Sequence, residues 1–267
     1  MISYLLIAYW TTRETALQSA VQALLLNRRG DLALTCALAC ILALLRSTRP
    51  DIARLLTKLD SSALRACVCR GALVAAMGKS AQLRLHSWLP NAMEAPTPVS
   101  ALIHAATLVT ARVYLLFRLS PFLELSGRDA ALLVASVGAA TLLFAGLIGG
   151  RQTDLKRVIA FSTCSQVAYM ILAVGTGLYS ARISLLVMHA AYKALLFLGA
   201  GVVIHAVGGL QDIRLMRGLA YALPFTAVLM LIASAALRAM PYTSGDYSKD
   251  LIIELQLGGL SVVSHWL

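Results

Sequence analysis

Long apolar runs, each close to twenty residues and separated by short polar breaks, fill almost the whole chain. About 20 apolar residues, rising 1.5 Å each in a helix, cross a hydrocarbon layer of about 30 Å. Spanning helices are therefore predicted at about 15–45, 63–85, 97–119, 129–150, 156–177, 181–206 and 221–242. The runs are continuous and lack the period-two alternation of a membrane barrel, so helices rather than strands satisfy the backbone in lipid. A short piece at 1–10 precedes these spans and another at about 247–263 follows them. Ten residues reach only about 15 Å, so 1–10 reads as the end of a spanning helix whose other half is on a second polypeptide. Pro90, Pro96 and Pro98 interrupt one stretch, and Pro241 with Gly245 another, which puts helix breaks near 80–98 and 241–247. Residues 46–62, with Arg46, Arg49, Pro50, Asp51, Arg54, Lys58 and Asp60, read as a polar amphipathic connector. The expected fold is all-α and polytopic, one membrane domain over 1–267 with two broken helices.

Composition agrees: 59% of residues are hydrophobic and 13% charged, against about 25% charged in soluble domains. The net charge of +11 fits loops meeting anionic lipid head groups. Runs mixing Lys or Arg with aromatics are missing, so membrane lipid and not nucleic acid is the expected partner. Basic residues are shared evenly between the two sets of loops, and the positive-inside rule gives no orientation. Cys36, Cys40, Cys67, Cys69 and Cys164 show neither C-x-x-C nor Cys/His spacing, and read as small buried apolar residues. No metal site or cofactor is expected in this chain. The first residues, Met1 to Leu6, have no basic region and no cleavage site, unlike a signal peptide.

Charge inside the apolar runs carries the functional signal. Lys79, Lys193 and Lys249 each sit where a charge costs about 2.5–3.5 kcal/mol at mid-bilayer depth, and the default use of such residues is an ion or proton path. Lys79, in Met77-Gly78-Lys79-Ser80 with His86 and Pro90 beyond it, is either a proton carrier or a lysine snorkelling from a helix end. His104 lies within the next apolar run and is open to relay or packing roles. His189 and Lys193 are four residues apart and so share one helix face, as a short proton wire requires. Lys249, beside Asp246 and Asp250, is either a terminal site or an interfacial ion pair. Arg28 and Asp31, three apart in an apolar helix, would neutralise one another. Moving one charge across 100 mV takes about 2.3 kcal/mol. A pKa swing of roughly two units at one lysine covers that work.

At these residues the chain resembles the chain 5 family of NADH–ubiquinone oxidoreductase, the distal antiporter-like subunits of respiratory complex I. The resemblance rests on Met77–Gln82, on His86-Ser87-Trp88-Leu89-Pro90 running through Met93-Glu94-Ala95-Pro96-Thr97-Pro98 to His104 and Thr107, and on Asp154–Gln166. His189-Ala190-Ala191-Tyr192-Lys193 and Tyr247-Ser248-Lys249-Asp250 complete it. Met93–Pro98 and Lys249 favour chain 5 over its paralogues chains 2 and 4, since chain 4 carries a glutamate at the latter position. The resemblance implies an antiporter-like helix bundle that moves protons, with no redox chemistry in the chain itself. Lys79 would be the protonatable centre of one half-channel, His104 a relay, Lys193 with His189 the central relay and Lys249 the terminal site. Arg28 and Asp31 would be the ion pair that modulates the first lysine. It also implies the mitochondrial inner membrane (or a bacterial inner membrane) and membrane-arm partners, especially chain 4 and a polypeptide carrying the missing N-terminal helices.

Several positions depart from the family pattern. Leu185 stands where the family has a second histidine, Arg112 replaces a glycine, and Arg84 a small residue or proline. Arg238 and Asp246 occupy apolar positions. The family's Trp-Glu-Gly-Val-Gly string, whose glutamate would partner Lys79, is absent, as are the last helices, so the bundle is incomplete relative to the family. A sodium–proton antiporter subunit and a non-pumping structural remnant are the competing readings.

Overall fold

The computed structural model describes residues 2–45, 62–177 and 179–254. The predicted connector lies outside these residues except for Ser62, and so does the last part of the 247–263 piece. Helices follow in the order α1 (Ile2–Ile7), α2 (Glu14–Leu45), α3 (Ser62–Lys79), α4 (Trp88–Asn91), α5 (Thr97–Ala101), α6 (Leu108–Arg118), α7 (Ser120–Leu125), α8 (Arg128–Gly149), α9 (Leu155–Gly175), α10 (Tyr179–Ala206), α11 (Leu219–Ala222) and α12 (Pro224–Leu237). Among the described residues four helical stretches are long and apolar enough to cross a membrane: Thr97–Arg118, Arg128–Gly149, Leu155–Gly175 and Ile183–Ala206. The only extended pairing among these residues is one isolated antiparallel bridge, Asp154 with Asp212, which ties two loops together.

α9 forms the middle of the bundle. It packs against α8, α10, α6 and the short α4, and most of its length is buried, from Ile159 to Val174. α8 turns one face to α9 through Val134, Gly138, Thr141 and Ala145. Its other face leaves Leu132, Leu143 and Leu147 exposed, as expected of a helix facing lipid. Proline sits in the first turn of α5, α7 and α12, where its missing N–H has no helical acceptor to lose.

Three differences from the sequence reading bear on function. The helix expected over 63–85 stops at Lys79. Ala81 and Arg84 then adopt positive φ of 52° and 75°, a conformation costing roughly 1–2 kcal/mol per non-glycine residue. Two hydrogen bonds hold that reversal, Trp88 Nε1 to Gly78 O at 2.9 Å and Cys164 Sγ to Ala81 O at 3.0 Å. The 97–119 helix forms, but Leu102–Ala106 winds as a π turn, which displaces His104 from regular helical register. The helix expected over 221–242 shortens to the 14 residues of α12, before the backbone breaks and resumes in a second π turn at Asp246–Asp250. π turns inside helices recur at functional sites.

The cysteines divide differently from expectation. Cys69 and Cys164 are buried, whereas Cys36 and Cys67 are exposed and Cys40 is half-buried. A thiol can face a bilayer as readily as a protein interior, and apolar neighbours in sequence do not distinguish the two.

Candidate functional site

Close approach of α2 and α3 builds the first cluster. Gly30 and Gly78 meet backbone to backbone; a Cβ on Gly78 would lie 3.1 Å from the Gly30 Cα. With no side chain between them, Asp31 and Lys79, the residues that follow these glycines, come together. Asp31 Oδ1 lies 3.4 Å from Lys79 Nζ and accepts a hydrogen bond from Arg112 Nη2 of α6 at 2.5 Å. Lys79 and Asp31 keep 22% and 26% of their side-chain surface and Arg112 only 11%. This corrects the expected Arg28–Asp31 pair: Arg28 is exposed, and the carboxylate is taken by two cations from other helices. It also supplies Lys79 with a carboxylate from within the chain.

The second cluster lies on α9 and α10, deep in the bundle. Lys193 is fully buried. Its Nζ donates to Ser162 Oγ at 2.5 Å and to the carbonyl of Ile159 at 3.3 Å, both on α9. His189, one turn earlier, is also fully buried and packs edge-on against Tyr192 at 5.6 Å. His104 stands between the rings of Trp88 at 6.2 Å and Phe197 at 5.8 Å. Neither His104 ring nitrogen bonds to a protein group among the described residues. Both histidines lie within electrostatic reach of Lys193, and Lys193 within reach of Lys249.

Lys249 sits on the second π turn with its Nζ 5.1 Å from the centre of the Tyr169 ring, a cation–π placement. Asp246, one of its expected partners, instead accepts the Tyr242 backbone N–H. Trp88 links the two clusters, bonding to Gly78 beside Lys79 and stacking on His104. Trp88 thus joins the Lys79 cluster to His104, while His104, His189 and Lys249 lie within electrostatic reach of Lys193, and Arg28 makes no ion pair with Asp31 among the described residues.

Two residues without a predicted role belong to the site. Ser162 is the hydroxyl partner of Lys193. Lys156, at the start of the helix predicted over 156–177, is buried and donates to the carbonyls of Met93 (3.4 Å) and Ala95 (3.1 Å). It ties the start of α9 to the turn that leads into α5. On the adjoining loop Arg214 is hydrogen-bonded to Asp212 and holds its carboxyl below the usual range.

Four helices of membrane-spanning length, two π turns and a fully buried lysine accompanied by two fully buried histidines define a polytopic helical membrane protein. Residues 1–264 match the transmembrane family described as NADH:quinone oxidoreductase/Mrp antiporter, and the chain belongs to that family. Among curated relatives, NADH-ubiquinone oxidoreductase chain 5 of Allomyces macrogynus is 49% identical over 99% of this chain and 42% of its own length. The chain 5 protein of Rhizopus stolonifer is 50% identical over 99% and 41%. That of Metridium senile is 47% identical over 100% and 44%. The chain therefore spans about two fifths of the length of the curated relatives it matches. A solved structure, the Mrp complex from Dietzia sp. DQ12-45-1b, is similar with a TM-score of 0.85 and 31% identity, over 94% of this chain and 28% of that one.

Proposed function

We propose that this chain is a proton-translocating part of the membrane arm of respiratory complex I, working in the mitochondrial inner membrane beside other membrane-arm subunits, chain 4 among them. The observation that carries this reading is Lys193: a fully buried amine whose hydrogen-bond partners are neutral oxygens, with two histidines and a second lysine in electrostatic reach. A buried charge without a counter-ion is costly, and an amine so placed is poised to give up its proton and take it back. His104 and His189 are suited to receive that proton, since imidazole exchanges protons through either ring nitrogen. Lys79 with Asp31 is suited to load these groups from one side, and Lys249 to discharge them at the other. The chain's own residues do no redox chemistry in this scheme; electron transfer elsewhere in the assembly would drive it.

Lys193→Met keeps an unbranched side chain of similar volume and removes the protonatable amine. In sealed vesicles containing the assembled complex, NADH-driven proton uptake per complex should collapse. Unchanged uptake in a fully assembled variant would end this reading. The likeness to the Mrp complex supports a second reading, a subunit of a multisubunit sodium–proton antiporter. Sodium-dependent proton exchange in an assembly that lacks NADH oxidation would select it, although the chain 5 relatives are the more similar in sequence.

A further inference from the structure

Asp31 is shared. One of its oxygens, Oδ1, lies 2.5 Å from Arg112 Nη2 and 3.4 Å from Lys79 Nζ. The two cations therefore lie within roughly 6 Å of each other, close enough to repel unless the carboxylate stays between them. The contest for that oxygen is unequal. The arginine contact has the length of a strong charge-assisted hydrogen bond, and guanidinium stays charged at any workable pH. Arg112 is also the more deeply buried of the two, with 11% of its side chain exposed against 22% for Lys79. The lysine contact is longer, and ammonium can surrender its proton.

We propose that Arg112 is a positioning residue for Lys79: it holds Asp31 as a standing counter-ion and so keeps Lys79 the loosely paired, proton-exchanging member of a three-charge cluster. The role follows from geometry among α2, α3 and α6. Without Arg112 the carboxylate would turn wholly to Lys79 and form a one-to-one ion pair. Proton release from Lys79 would then require breaking that pair. Asp31, Arg112 and Arg28 of α2 all lie within electrostatic reach of Tyr4 of α1. Among the described residues the ion pairs of Asp31 are those with Lys79 and Arg112. The consequence for transport rests on the function proposed above; the pairing itself does not.

The test uses the assembled complex carrying the parent chain, Arg112→Gln or Arg112→Lys, and reads two quantities. The first is the rate at which a membrane-permeant amine reagent acylates Lys79, followed by peptide mass spectrometry. Arg112→Gln should slow labelling by roughly three- to tenfold, the size expected when a shared charge-assisted contact becomes exclusive. Arg112→Lys, which restores a cation, should return it most of the way. The second is proton uptake per NADH oxidised at equal assembly, which should fall in Arg112→Gln and recover in Arg112→Lys. Lys79 labelling that is unchanged or faster in Arg112→Gln would overturn the proposal. Slower labelling with unchanged proton uptake would uphold the pairing and count against the transport role of Lys79 instead. Loss of assembly in both variants, with parent-like labelling of the residual complex, would assign Arg112 a packing role and also overturn it.

Discussion

Lys79 and Lys193 are both lysines in apolar helices, but the protein houses them in opposite ways. Lys79 ends its helix, keeps about a fifth of its side chain exposed, and shares a carboxylate with an arginine. Lys193 lies mid-helix, fully buried, and among the described residues bonds to a hydroxyl and a backbone carbonyl. The first environment supports charge, because the Asp31 carboxylate lies against both cations and offsets their mutual repulsion. The second tolerates charge only briefly, since neutral oxygens offset little of the desolvation. A path that loads protons at one end and passes them through the interior needs both kinds of lysine. Under the proposed function both lysines exchange protons, Lys79 beside a shared carboxylate and Lys193 beside neutral oxygens.

The largest expected effect comes from removing the charge that has no counter-ion among the described residues. Lys193→Met should abolish proton uptake while leaving thermal stability of the assembled complex unchanged or raised by about 1 kcal/mol or more, because an uncompensated buried charge is replaced by packing of similar volume. Uptake and the thermal midpoint measured on one preparation check both halves. Destabilisation by several kcal/mol would mean that Lys193 has a counter-ion and that the two sites are alike.

Asp31→Asn should act in the opposite sense. It leaves Lys79 and Arg112 facing each other without a carboxylate, and should lower stability by about 1–3 kcal/mol, less than a fully buried pair loses because all three groups retain some exposure. Thermal melts at low and high salt measure this, and raised salt should recover part of the loss by screening the repulsion. A stability equal to the parent's at low salt would show that the cluster is not held by charge.

Ser162→Ala is predicted to have a smaller effect. It removes the closest partner of the Lys193 amine and leaves the Ile159 carbonyl. A hydrogen bond to a charged group contributes about 1.5–3 kcal/mol, so proton uptake should slow by roughly tenfold and Ser162→Thr should rescue it. Full activity in the alanine variant would mean that Lys193 is neutral for most of the cycle.

How much of this contrast could be read from sequence depends on distance along the chain. The all-helical character was legible because apolar length is local, although four of the described stretches, against seven predicted spans, are long and apolar enough to cross a membrane; His189 and Lys193 share a helix because four residues make one turn. The break near 80–98 was legible from its prolines, but not the end of α3 at Lys79 itself: the reversal at Ala81 and Arg84 is held by Trp88 and Cys164, ten and 83 residues from their acceptors. Arg112 stood out in sequence only as a departure from a family pattern, since its partner is 81 positions away. Lys156 follows Asp154 at a helix start and so resembles an interfacial charge, yet α9 enters beneath the Met93–Ala95 turn and buries it. The Arg28–Asp31 expectation failed for a related reason. Three residues apart on a helix places two side chains near one face, but a closer partner on a neighbouring helix takes precedence.

That failure yields the smallest predicted effect and a sharp one. Arg28 is exposed, and the Asp31 oxygen nearest to any cation is occupied by Arg112 and Lys79. Substituting an exposed residue away from such contacts usually changes stability by no more than about 0.5 kcal/mol. Arg28→Gln should therefore leave the melting midpoint, the Lys79 labelling rate and the proton uptake close to those of the parent. Arg112→Gln, with the same chemistry 84 positions further along the chain, should alter the last two. Measured side by side, the pair separates a charge that lies near Asp31 in sequence from one that meets it in space. If Arg28→Gln proves as damaging as Asp31→Asn, the carboxylate is divided among three cations, and the contrast between the two lysine sites must be redrawn with Arg28 inside the first.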